Sequence, residues 1–241
     1  MPFGVMFQSI VKAGFNFIYP PICLHCGKRR DENQEFLCFT CWNQIKTYDA
    51  SLDIRQVLKS RMIGRVKTEH NFTLFWYQHS SPLKTLFQNL KYQNRKGIGL
   101  YLGRFLGKKI NEKLESASEP AILVPVPVHK LKQIDRGYNQ ALMIAMGIAR
   151  ETRHVVLPAK EIILKTRQTD SQTKKDRISR WTSQKEVFGL NPKVNIDLNY
   201  RSVLLVDDII TTGATLEQIG KLILSKWPEA RISIATIALT E

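Results

Sequence analysis

The chain has 241 residues, 43% of them hydrophobic, which is enough for one or two domains with a sizeable core. Its 36 Lys+Arg against 21 Asp+Glu give a charge of +15, a balance suited to anionic partners such as nucleotides, nucleic acid or an acidic membrane surface. No apolar run is long enough to span a bilayer, so no transmembrane segment is expected and a cytoplasmic location is.

Phe3 to Tyr19 is apolar but interrupted by Gln8, Lys12 and Asn16. It has neither a basic start nor a small-residue cleavage site, which argues against a signal peptide. Phe3, Phe7, Ile10, Val11, Phe17 and Ile18 fit an amphipathic helix that docks on the protein.

All four cysteines then fall in two C-x-x-C pairs, Cys23/Cys26 and Cys38/Cys41. Two such knuckles across a short polar loop suit one tetrahedral, structural Zn²⁺ held by four thiolates. Gly27 follows the second cysteine, where the knuckle needs a permissive backbone. Two disulfides, a redox pair or an iron–sulfur cluster are the alternatives, and disulfides require an oxidising compartment that nothing here indicates. His25 reads as a bystander. Residues 1–48 are expected to form a helix and zinc module, 49–71 a charged connector, and 72–241 the main domain.

Phe72 to Tyr77 predicts a strand, and Leu83, Leu86, Phe87 and Leu90 follow at helical spacing. Asn94 to Gly99 breaks that pattern before a second helix to about Leu114, with Leu102, Phe105, Leu106 and Ile110 on one face. Residues 84–113 carry Lys84, Lys91, Arg95, Lys96, Arg104, Lys108, Lys109 and Lys113 against Glu112 alone. This is either a solvated face or a positive surface for substrate or nucleic acid.

Ala121 to Val126 predicts a buried strand, closed by Pro125 and Pro127. After Arg136-Gly137-Tyr138-Asn139-Gln140 a helix is expected to about Glu151, with Leu142, Ala145, Met146 and Ala149 inward. Val155-Val156 and Ile162 to Leu164 are short strand candidates. Arg167 to Lys185 is polar and reads as a mobile loop running into a basic helix. Val203 to Val206, Leu216 to Trp227 and Ile232 to Ala238 complete an alternation of strands and helices, which predicts a parallel α/β sheet flanked by helices.

The most informative stretch is Val203 to Thr215. Asp207 and Asp208 stand at the carboxyl end of a buried strand, where ligands bind in open α/β sheets. Thr211, Thr212, Gly213, Ala214 and Thr215 open the next helix, where backbone N–H groups can cradle a phosphate. The acids can accept hydrogen bonds from sugar hydroxyls or hold Mg²⁺ through water. Together the two features suit a ribose 5-phosphate.

These residues closely resemble the 5-phosphoribosyl-1-pyrophosphate (PRPP) signature of type I phosphoribosyltransferases. Three further pieces fit: Val124-Pro125-Val126-Pro127 with His129, Lys130 and Arg136 to Gln140; Arg167 to Thr173 with Arg177 and Phe188; and Pro20-Pro21 before the paired knuckles. In this order they resemble the ComF family over nearly the whole chain. Ser183 stands where that family usually has an Asn.

The resemblance implies a type I phosphoribosyltransferase-like fold behind a zinc module. It implies that Asp207 and Asp208 hold the ribose hydroxyls and Thr211 to Thr215 the 5-phosphate, with Asp207, Asp208 and Arg136 as the catalytic set. His129 and Lys130 would lie near the pyrophosphate, and the loop bearing Arg167, Lys175 and Arg177 would close over it. Mg²⁺ would accompany PRPP. The family also implies a link to DNA uptake in natural transformation, with single-stranded DNA and DNA-uptake machinery as partners. Phosphoribosyl transfer to an unidentified acceptor stands beside a single-stranded DNA-binding role with a non-catalytic PRPP pocket.

Overall fold

The computed structural model describes residues 20–47, 66–114, 119–128, 130–165 and 188–240. The expected N-terminal helix, most of the connector, His129 and the loop with Arg167, Lys175 and Arg177 lie outside them.

A five-stranded parallel sheet organises the chain, in the order β1 (Asn71–Tyr77), β7 (Arg231–Thr240), β6 (Ser202–Ile210), β2 (Ile122–Pro125), β3 (Val155–Val156). A two-stranded antiparallel ribbon, β4 (Ile163–Lys165) with β5 (Phe188–Leu190), lies apart from it. The central strands are buried on both faces, so they read as continuous apolar runs. Their alternation sorts them: Leu204 and Val206 face one core, Val203 and Leu205 the other.

The first core is covered by α2 (Pro82–Tyr92), α3 (Lys96–Leu114) and α5 (Gln140–Ala149). The second is covered by α6 (Ala214–Lys226) and the β4–β5 ribbon. Leu83, Leu86, Phe87 and Leu90 form the expected buried stripe of α2. A short helix α4 (Lys130–Arg136), not anticipated from the sequence, precedes α5.

Two expectations are corrected. Helix α3 begins at Lys96, so Gly97 and Gly99 lie inside it. The inward face of α5 is Ala141, Ile144, Ala145, Gly147 and Ile148, while Met146 is exposed. A close backbone contact accounts for the second. Helices α3 and α5 cross with their backbones almost touching, and a Cβ at Gly107 would lie 2.9 Å from the Ile148 carbonyl oxygen. Gly103 meets the Ile144 carbonyl and Gly147 the Leu100 carbonyl still more closely. The glycines thus set the rotation of α5, which the other apolar residues leave ambiguous.

The zinc module is part of the same core. Cys23, Leu37, Cys41 and Ile45 join the cluster that contains Phe72, Phe75 and Leu83. Trp42, in the short helix α1 (Phe39–Asn43), packs on the rings of Phe75, Tyr101 and Phe105. Its chain also seals the edge of β1: the Trp76 N–H donates to the Lys46 carbonyl at 3.0 Å, and Thr47 bridges Phe75 antiparallel. Sheet edges left open invite association, and this one is covered.

Gly103→Ala should destabilise the fold by roughly 1–3 kcal/mol, because the added methyl meets backbone that cannot yield. Urea unfolding of the two proteins measures it.

Candidate functional site

Strand β2 is shorter than its neighbour. Its pairing with β6 ends at Pro125 opposite Val206, with a last bond from the Val126 N–H to the Val206 carbonyl at 2.8 Å. The next rung would join the Asp208 N–H to the Val126 carbonyl, but that N–H donates to Asp207 Oδ1 and that carbonyl accepts from Asn139 Nδ2. Strand β6 runs on to Ile210, paired with β7 alone. Asp207 and Asp208 therefore lie within the strand, not beyond it, but on the part that β2 does not reach. They stand at the carboxyl edge of a parallel sheet, the usual ligand position in such folds.

The acids are tied together and tied down. The Asp208 N–H donates to Asp207 Oδ1 at 2.8 Å. Asp208 is buried, and Lys91 Nζ lies 2.5 Å from its Oδ2. Burial, and then the neighbouring Asp208 charge, push the Asp207 carboxyl from its ordinary 3.8 up to about 8.

The turn beyond the acids begins α6. Gly213 has φ of 75°, a left-handed conformation that glycine adopts freely, and it is buried. Thr212 Oγ1 accepts from the Ala214 N–H at 3.4 Å. Thr211, Thr212 and Ala214 are exposed and Thr215 is half-buried, so the first turn of a 13-residue helix faces solvent. Its N–H groups and dipole favour an anion there.

Arg136 ends α4. Its Nη1 donates to Gln140 Oε1 at 3.0 Å, and its guanidinium lies 5.7 Å from the Tyr92 ring centroid. Gln140 is buried, and its Nε2 has no partner. Asn139 caps α5 by accepting from the Leu142 N–H, and its Nδ2 donates to the Val126 carbonyl at 3.0 Å. This fastens the Arg136–Gln140 turn to the end of β2. Buried Tyr138 donates its hydroxyl to the Leu90 carbonyl, and burial holds its phenol up at about 12. The same turn is thus bound to the end of α2. Lys130 opens α4.

The sequence reading counted Lys91 among cations for an anionic partner, but the structure turns it inward onto Asp208. A usable signal was present: Lys91 follows Phe87 by four residues and so borders the buried stripe of α2. Two other cations of that stretch are also engaged. Arg104 pairs with Glu151 at 2.6 Å, and Lys109 donates to the Thr73 carbonyl at 2.9 Å. Their partners lie far along the chain or on backbone, where a local charge count cannot see them.

The metal site is separate. The sulfurs of Cys23, Cys26, Cys38 and Cys41 all lie within 4.8 Å of one another, and those of Cys26 and Cys38 are 3.7 Å apart. A tetrahedron of thiolates at about 2.3 Å from Zn²⁺ has edges of about 3.8 Å, so the set fits that ion. Burial opposes ionisation of Cys23, but the backbone N–H groups of Cys26, Cys38 and His25 outweigh it and bring the thiol to about 6. His25 is no ligand. Its Nδ1 shares a hydrogen bond with Thr85 Oγ1 at 2.8 Å, joining the knuckle to α2.

Comparison with known proteins agrees with both halves. A phosphoribosyl transferase domain model matches residues 132–240, and a double zinc ribbon domain model matches residues 14–52. Competence protein F of Haemophilus influenzae is 29% identical over 209 residues, covering 83% of this chain and 90% of that protein. The chain is similar over most of its length to a ComF-type competence protein and carries a phosphoribosyltransferase-like domain.

Two further ComF-type relatives match over less. Competence protein ComFC of Bacillus subtilis is 29% identical over 116 residues, 48% of this chain and 43% of that protein. The DNA utilization protein YhgH of Escherichia coli is 26% identical over 148 residues, 61% and 63% respectively. The four cysteines constitute the structural zinc ribbon. Among the described residues no helix is long and apolar enough to cross a membrane.

The raised Asp207 carboxyl carries a pH signature. In the folded chain it keeps its proton up to about pH 8, whereas unfolded it loses it near 3.8. Its contribution to stability is therefore full below the lower value and is lost as pH rises through the upper one. Asp207→Asn should melt increasingly above the wild type between those limits, and thermal melts across that range measure the gap.

Proposed function

We propose that this chain binds PRPP at the carboxyl end of β6 and transfers its phosphoribosyl group to a nitrogen nucleophile. The observation that carries the reading is the juxtaposition in one gap of the sheet of an acid pair, Asp208 buried and Asp207 half-buried, and an open, glycine-led helix N-terminus. Asp207 and Asp208 accept from the ribose hydroxyls, and the N–H groups and hydroxyls of Thr211 to Thr215 hold the 5-phosphate. Arg136, fixed at the end of β2 through Asn139, supplies positive charge toward the pyrophosphate, and His129 and Lys130 are assigned to the same group by the resemblance. Arg167, Lys175 and Arg177 are assigned by the resemblance as further cations for the pyrophosphate.

In the reaction the acceptor nitrogen attacks the anomeric carbon. The carbon–oxygen bond to pyrophosphate breaks, the electron pair leaves with that group, and the nitrogen gives up its proton. Positive charge on the ring is stabilised by the acids, and negative charge on the leaving group by the cations. Mg²⁺ bound with PRPP supplies further neutralisation of the pyrophosphate. Asp208, already paired with Lys91, is poorly placed to be its principal ligand.

A role in handling incoming DNA in the cytoplasm, with DNA-uptake machinery as partners, is part of the same proposal, and the relatives' names, competence and DNA utilization, support its link to DNA. In this proposal the chain divides into the zinc module (1–48), the connector (49–71) and the main domain (72–241). A second reading, a single-stranded DNA-binding factor with a non-catalytic PRPP pocket, draws on one place. Tyr92 is exposed beside the exposed cations Arg95 and Lys96, with Arg136 over its ring. A ring among cations is what single strands stack on.

Calorimetric titration with PRPP and Mg²⁺ tests the proposal. The wild type should bind, and the Asp207→Asn/Asp208→Asn variant should lose most of that affinity. Absence of binding by the wild type would leave the DNA reading in its place.

A further inference from the structure

Asp208 already has a cation. Lys91 Nζ lies 2.5 Å from Asp208 Oδ2, with side-chain exposures of only 24% and 12%. At such a distance and with partial burial, attraction between unit charges is far stronger than in water. The lysine is also seated before any ligand arrives. Its ammonium lies 5.6 Å from the centroid of the Phe87 ring. The preceding residue, Leu90, is fully buried and its carbonyl receives the Tyr138 hydroxyl. One and a half turns earlier, Thr85 is bonded to His25 of the zinc knuckle. Helix α2 is therefore held at both ends, and the position of Lys91 follows from the fold.

Two adjacent carboxylates at a sheet edge would ordinarily gather a divalent ion, since hard oxygen ligands attract one. Here the ammonium occupies the Asp208 oxygen such an ion would need. We infer that Lys91 is a positioning residue of this site: its ammonium pins Asp208 as a built-in counter-cation, so that the acid pair engages ribose hydroxyls without a divalent metal ion of its own. The inference rests on reading Asp207 and Asp208 as the ribose site. It also assigns any metal requirement of the whole reaction to the pyrophosphate, which ribose 5-phosphate lacks. Lys91 acts through Asp208 and is given no contact with the reacting atoms.

The test uses the full chain with zinc bound and two probes. Mn²⁺ alone is titrated into wild type, Lys91→Gln, Lys91→Arg and Lys91→Gln/Asp208→Asn, with free Mn²⁺ read by electron paramagnetic resonance. Lys91→Gln should gain one Mn²⁺ per chain, held at least about tenfold tighter than by wild type. Lys91→Arg should resemble the wild type, and the double variant should lose the gained ion. Equal Mn²⁺ binding by wild type and Lys91→Gln, whether tight or absent, overturns the inference.

The second probe needs no variant and so survives any failure of Lys91→Gln to fold. Ribose 5-phosphate is titrated into wild type with and without Mg²⁺, and the two affinities should agree within about twofold. A strict need for Mg²⁺ overturns the inference. Wild type that binds no ribose 5-phosphate under either condition overturns the ribose-site reading instead, and the Mn²⁺ comparison then decides whether Lys91 acts as the counter-cation.

Discussion

The site exists because two neighbouring parallel strands differ in length. Val126 makes the last bond of β2 to β6, and the next is not made because the Asp208 N–H turns to Asp207 Oδ1 and the Val126 carbonyl takes the Asn139 amide. Beyond that point β6 keeps one neighbour, β7, and its other side opens into a gap. Everything chemical is arranged around that gap. The acids lie on the unpaired stretch, the glycine turn follows it, and Asn139 bonds the end of β2 to the turn carrying Arg136. Had β2 continued, Asp207 and Asp208 would be flanked by backbone on both sides and closed to a sugar.

Charge in this gap is balanced inside the protein. Asp208 is neutralised by Lys91, and Asp207 is raised by burial and by its neighbour. Two like charges so close cannot both be held cheaply in a half-dry site. The helix that brings Lys91 is anchored through Tyr138 to the opposite wall and through His25 to the zinc ribbon. The ribbon, stapled by Trp42 to Phe75, Tyr101 and Phe105, is part of the scaffold that fixes α2. The zinc ribbon is thus tied by contacts to the helix that carries Lys91 to Asp208.

Much of this was legible in the sequence. The cysteine spacing identified a zinc module, and Val203 to Thr215 identified the strand, its acids and the glycine turn into the next helix, because each rests on local pattern. What was not legible depends on contacts between distant segments. The phase of α5 is set by Gly103 and Gly107 of α3, so Met146 points outward where periodicity alone put it inward. Lys91, Arg104 and Lys109 looked like one basic surface, yet each finds a partner on another element. His25 looked idle because its partner, Thr85, lies 60 residues away.

The most direct test of the central claim follows the backbone amides of the β6–α6 turn by heteronuclear NMR as ribose 5-phosphate is added. The account predicts that the largest shifts fall on the N–H groups of Gly213, Ala214 and Thr215, with Asp207 and Asp208 next. Shifts confined to the exposed cations of α3, with that turn unmoved, would contradict it.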